Sequence, residues 1–143
     1  MPVEPAWAAL IPHRGAMRLL DEVVAHDDRH VHARTRSHQR VDNPLRDGNV
    51  LRSVHLCEYG AQAMAVHGAV LAAAGDGVPE SGLLVALRDI VLAVSRIDDL
   101  PGALDVHCTL VLADAGVRHG TFRIEHAGTV IASGRLTVAR EGG

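Results

Sequence analysis

Glu58 sits where a charge is hard to accommodate. Residues 53–75 read SVHLCEYGAQAMAVHGAVLAAAG, an apolar stretch long enough for a helix of six turns, and its one carboxylate lies near the front end. Ionised carboxylates are almost never fully buried unless they are paired or at work. Glu58 therefore either pairs with an arginine or caps a loop, or it serves as a general acid or base. A lining of aliphatic residues would favour its neutral, proton-donating form. Gln62, one helical turn further on, shares its face and can hydrogen-bond the carboxyl or a neighbouring backbone group. His55, three residues before Glu58, is close enough to touch the same pocket, and His38 is the nearest histidine upstream of the loop that precedes the helix.

The other reactive residue types have structural readings. Cys57 adjoins Glu58, but no Cys-His-Asn arrangement follows from residue order, and Cys57 and Cys108 lack a metal-type spacing. Both are read as free buried thiols of a reducing cytoplasm. His30 and His32 share one strand face, which is read as solvated because no carboxylate or thiol supports a metal there at a convincing spacing. His67 lies on the apolar helix and is read as a core or interface histidine. His107, His119 and His126 fall on late strands and are expected to be exposed, and His13 with Arg14 is expected to fix the first turn. No metal and no cofactor is called for.

Composition narrows the class. The chain has 143 residues, about one domain's worth, and 1–143 is read as a single domain. Nearly half the residues are apolar, yet Trp7, Tyr59 and Phe122 are its only aromatics, so the core must be built from aliphatic side chains that would also suit an acyl chain. The net charge is -3, and the fourteen basic residues, all arginine, form no cluster of the kind nucleic-acid binding requires. No signal-peptide pattern opens the chain, and the longest apolar run is interrupted by Glu58, Gln62 and His67. Neither export nor membrane insertion is indicated, and a cytoplasmic location is expected.

The elements that must position these residues follow from pattern. A short helix is expected at 5–10, a strand at 17–25, a turn at Asp27-Asp28 and a second strand at 30–38, whose Val31, Ala33 and Thr35 alternate with polar residues. Residues 39–52, with Pro44, Gly48 and two Asn, make a loop of functional length. After the helix, residues 75–82 lead to strands at about 83–96, 104–113, 117–126 and 129–140, joined by hairpin chemistry at Asp114-Ala115-Gly116 and Ala127-Gly128. The class is α+β. Because the helix is apolar almost all round, the antiparallel sheet must curl about it or a second subunit must close over it. A curved sheet wrapped around a long central helix is the hotdog fold.

Two separated motifs carry a family resemblance. Pro12-His13-Arg14-Gly15-Ala16-Met17-Arg18-Leu19-Leu20-Asp21-Glu22-Val23 resembles the opening strand of the β-hydroxyacyl-acyl-carrier-protein dehydratases, and Glu58-Tyr59-Gly60-Ala61-Gln62 resembles their helical E-x-x-A-Q. Asn43-Pro44-Leu45, Glu58-Tyr59 and residues 61–65 are closer to the dehydratase-like proteins of aryl polyene and related pigment biosynthesis. The resemblance implies loss of water from a 3-hydroxyacyl thioester on acyl carrier protein, giving the 2-enoyl thioester in fatty acid or polyene synthesis. Glu58 would be the acid and His38 the provisional base, with Ser53, His55 and Gln62 against the substrate. Backbone amides around residues 53–55, at the front of the helix, would polarise the thioester carbonyl.

One departure bears on mechanism. The family places its base in a His-Phe-Pro-Gly loop about fourteen residues before the Glu, and here that position is Pro44, while Leu51-Arg52-Ser53 replaces the usual Met-Pro-Gly. Two alternatives to an active dehydratase therefore stand. One is a catalytically incomplete hotdog subunit that partners an active dehydratase, and the other is an acyl thioesterase using the helix carboxylate to activate water. Hotdog relatives close their site across a dimer, so at least a homo- or hetero-oligomer with another hotdog subunit is expected.

Overall fold

The computed structural model describes residues 17–74 and 82–140. The expected helix at 5–10, the His13-Arg14 turn and most of the segment after the central helix lie outside them. Six strands form one antiparallel sheet: β1 (Glu22–His26), β2 (His30–Thr35), β3 (Gly82–Leu92), β4 (Leu104–Asp114), β5 (Val117–His126) and β6 (Thr129–Arg140). Their order across the sheet is β1-β2-β4-β5-β6-β3, so β1 and β3 are its edges. One helix, α1 (Leu56–Ala74), packs on the sheet and is entered through a single 3-10 turn, Ser53–His55.

The two late hairpins close as their residues require. Ala115 and Gly116, then Ala127 and Gly128, all have positive φ, the pairing of two left-handed residues that matches the twist of antiparallel strands. Register breaks at Leu84/Ala86 and Arg88/Val91 of β3 and at Leu110/Leu112 of β4 bend the sheet around the helix. The small residues of α1 allow a close approach. A Cβ on Gly60 would lie 2.8 Å from the Phe122 ring, and one on Gly120 of the facing strand would lie 2.1 Å from the Met64 methyl. The buried core is aliphatic apart from Tyr59 and Phe122, with Leu56, Val66, Leu104, Ile124 and Leu136 among its members.

Three boundaries differ from the sequence pattern for physical reasons. Residues 17–21 do not belong to β1. They lie along the helix, where the Leu19 and Leu20 amides donate to Gln62 Oε1 at 2.7 and 3.1 Å. β2 ends at Thr35 because the Thr35 and Ser37 hydroxyls both turn to the Leu19 carbonyl, and a 3-10 turn, Ser37–Gln39, follows. β3 stops at Leu92; after one last bond to β6, Ala93 N–H to Ile131 O at 2.9 Å, the chain ties down the entry to the helix through Ser53 N–H to Ser95 O at 3.0 Å and Ile97 N–H to Leu51 O at 2.9 Å. Among the described residues no helix is long and apolar enough to cross a membrane.

Candidate active site at the front of the central helix

The helix entry is held by side chains as well as backbone. Asp98 accepts the Leu51 N–H at 2.9 Å and pairs with Arg96, whose guanidinium holds the Asp98 carboxyl well below the usual carboxylate range. Behind the first turn, Tyr59 is fully buried, and its hydroxyl meets Ser37 Oγ at 2.9 Å and Asn43 Nδ2 at 3.1 Å. Asn43 also donates to the Ser37 carbonyl and accepts the Leu45 N–H through Oδ1. The 39–52 loop is thus pinned to the helix by a tyrosine. Burial pushes the Tyr59 phenol upward, so it is neutral at physiological pH.

On this scaffold Glu58 occupies the first turn of α1, where the helix dipole favours a carboxylate. Within one chain its side chain is exposed, and among the described residues it has no hydrogen bond or ion pair. Among the described residues, therefore, neither the aliphatic lining expected from the sequence nor an arginine partner is supplied. Ala61, on the same helical face, is only half-buried.

The other candidates fall elsewhere. Gln62 is buried and spends its amide on the backbone of residues 17–20, with Nε2 donating to Met17 O at 3.1 Å, so of its two expected partners it takes the backbone and not Glu58. Ser53 is buried, and its amide is taken by Ser95. His55 N–H donates to Arg52 O, and its half-buried ring shows no partner among the described residues. Val54, 52 % exposed, lies between them, and its amide has no backbone partner among the described residues. His38 is fully buried: its Nε2 lies 3.0 Å from the Leu100 carbonyl, which fixes the proton on that nitrogen, and Nδ1 is buried without a partner. Burial pushes its pKa down, with the hydrogen bond to Leu100 opposing, and the imidazole is neutral. No hydrogen bond joins it to Glu58.

Residues outside the expected site are also organised. His67 is a buried core histidine, as expected, but it is wired: its Nε2 meets Asp27 O at 2.7 Å and its Nδ1 lies 2.8 Å from the Arg118 guanidinium. On the sheet's outer face His30, His32 and His107 stack, with ring centroids 5.4 and 4.2 Å from that of His107, and His32 Nε2 lies 2.7 Å from Asp105. The expected solvation of this strand face and exposure of His107 are corrected. Cross-strand register places His32 directly opposite His107 and supplies the carboxylate that the spacing within one strand cannot reveal.

The comparisons with known proteins settle the family. A family model described as ApeP-like, ApeP dehydratase, matches residues 5–141. The chain belongs to the ApeP-like dehydratase family. Its hotdog fold superposes on the dehydratase heterocomplex ApeI:P from Xenorhabdus doucetiae with a TM-score of 0.85 and 26 % identity, covering 95 % of this chain and 91 % of that one. More distant matches show the fold alone. AziG of S. sahachiroi gives a TM-score of 0.59 at 13 % identity over 83 % of this chain and 89 % of that one. A hypothetical thioesterase with coenzyme A from Streptococcus pneumoniae gives 0.59 at 16 % identity over 85 % and 88 %. No curated protein matches the chain. This ApeP-like chain is thus a hotdog-fold dehydratase-type protein.

Proposed function

We propose that this ApeP-like chain is the acid-bearing half of a two-subunit dehydratase acting on 3-hydroxyacyl thioesters of acyl carrier protein. The carrying observation is Glu58: an exposed carboxyl in the first turn of α1, without a partner among the described residues, on a helix whose Tyr59 and Gln62 are held by hydrogen bonds. In the reaction a base removes a proton from C2, the C2–C3 double bond forms, and the C3 hydroxyl leaves as water after taking a proton from Glu58. The Val54 amide donates to the thioester carbonyl as negative charge builds on its oxygen. His38, the provisional base, has its proton on the nitrogen facing Leu100 and its ring buried, which favours a base contributed by the partner subunit.

The kind of partner follows from the sheet and from the relative. β3 is an open edge on which Val85, Leu87 and Val91 are 54 %, 41 % and 60 % exposed, an apolar strand that natural proteins cover or pair. The relative of known structure is a heterocomplex, and a second hotdog subunit seated on β3 would extend the sheet and close over Glu58. The buried free thiols Cys57 and Cys108 accord with a cytoplasmic assembly.

The test uses the chain purified alone and with the hotdog subunit that accompanies it in its native host, each given a 3-hydroxyacyl carrier thioester. Enoyl product is expected only from the complex, lost on Glu58→Gln and retained on His38→Gln. Full activity of the complex with Glu58→Gln would overturn the assignment, and release of free acid would favour the thioesterase reading.

A further inference from the structure

The outer face of the sheet, opposite α1, holds a cavity of about 510 Å³ whose walls come from β3, β5 and β6, with Val111 of β4 at one end. Strand alternation turns Phe122 and Leu136 into the core, so Thr121, Arg135 and Thr137 point outward. Register then arranges the polar groups in two adjacent rows. Arg88 stands opposite Arg135, which stands opposite Thr121, and Ala86 stands opposite Thr137, which stands opposite His119. Two guanidinium groups directly across an antiparallel pair repel each other.

The chain offers little to relieve that repulsion. Arg88 makes no hydrogen bond or ion pair among the described residues. Among the described residues Arg135 has only Asp89 at 3.7 Å, and both side chains are largely exposed, a pairing that contributes little in water. Asp89 stands within a register break of β3 and has a φ of 54°, a left-handed conformation costly for a non-glycine residue. His119 Nδ1 engages Thr137 Oγ1 at 3.0 Å, which orients the ring and leaves Nε2 for a ligand. The overall charge of the protein is -3, so this concentration of cations runs against its net balance.

We infer that this outer-face cavity binds a phosphate-bearing small molecule of about nucleotide size, its phosphate held between Arg88 and Arg135. Guanidinium pairs are suited to phosphate because each presents a planar fork of donors; with Thr137 donating to His119 Nδ1, the His119 Nε2–H and the Thr121 hydroxyl add donors for the remaining oxygens. Ala86 and Val111 supply an apolar wall for the organic part. The volume lies within the usual range for small-ligand pockets, and its concave shape favours a small molecule over a docked helix. The site is on the face of the sheet remote from Glu58, so it stands or falls apart from the proposed dehydration.

Titration calorimetry of the full chain, and of its complex with the partner subunit, with adenosine 3′,5′-bisphosphate and separately with inorganic phosphate tests the inference. Saturable binding of the nucleotide is expected, tighter than that of inorganic phosphate, weakened about tenfold or more by Arg88→Gln or Arg135→Gln and unchanged by Glu58→Gln. Amide resonances of Thr121 and Thr137 should shift on titration in the parent and not in the double arginine variant, whose melting curve shows whether it is folded. Absence of saturable binding into the millimolar range, equal affinity for the two probes, or binding untouched by both arginine substitutions would overturn it.

Discussion

Acid should destabilise this protein well before its carboxylates protonate, and His107 is the residue that allows the effect to be isolated. Its side chain is 14 % exposed and stacked between two other imidazoles, with Arg123 close by. Burial first, then the Arg123 and His32 charges, push its pKa from 6.5 down to about 4, against the opposing pull of Glu125. A base whose folded pKa is depressed binds fewer protons folded than unfolded. Its contribution is therefore complete above the unfolded value and is lost as pH falls through 6.5 toward 4. With 1.36 kcal/mol per pKa unit, His107 alone removes about 2 kcal/mol of stability between pH 7.5 and 5. His38 and His67, both depressed chiefly by burial, act in the same direction. The measurement is the urea midpoint of parent and His107→Gln at pH 7.5 and pH 5, at one fixed protein concentration because subunit association also contributes. The variant should lose about 2 kcal/mol less than the parent over that interval. An equal loss in both proteins would show that His107 is not the buried base described.

Three further substitutions test the scaffold. Gly120→Ala places a Cβ 2.6 Å from the Thr109 carbonyl, a backbone atom that cannot swing aside as the Met64 methyl can, so a loss of about 2 kcal/mol is expected in chemical denaturation, without full rescue by Met64→Ala. Gln62→Leu leaves the Leu19 and Leu20 amides without an acceptor and should cost about 3 kcal/mol. Hydrogen exchange should rise at those two amides first, and unchanged protection there would refute the role given to Gln62. Tyr59→Phe removes one hydroxyl from the Ser37–Asn43 cluster and should cost about 1 kcal/mol, with increased proteolytic nicking of the 39–52 loop as its local signature.

What the sequence made legible was whatever depends on local periodicity or turn chemistry. The strands β5 and β6, the Ala115-Gly116 and Ala127-Gly128 turns and the long helix all follow from neighbours along the chain. The acid in the helix was legible because a carboxylate in an apolar run is costly and therefore conspicuous. What could not be read depends on partners distant in sequence. Gln62 reaches back more than forty residues to the 17–20 backbone, and the His30–His32–His107 stack needs the β2–β4 register, which no spacing within one strand reveals. The Tyr59–Ser37–Asn43 cluster had one weak signal, a tyrosine in an otherwise aliphatic helix, whose hydroxyl had to find a partner if buried.

The same contrast bears on why a dehydratase-type chain lacks the histidine of its loop. The loop is not loosely held for want of that residue. Asn43 and Ser37 fasten it to Tyr59, and Arg46 reaches the His38 carbonyl at 3.2 Å. Glu58, like the neighbouring His55 ring, has no partner among the described residues, and it is exposed on the helical face that continues through the half-buried Ala61. A loop held this firmly beside a carboxyl, an imidazole and an amide that are left open is organised for an incoming surface. β3 is a second open feature, an apolar edge strand. On the proposed reading the missing base and the missing lining have a single cause, because a second subunit would contribute both. A complex whose activity survived loss of every histidine in the partner would separate the two and return the base to this chain, with His38 the first residue to test.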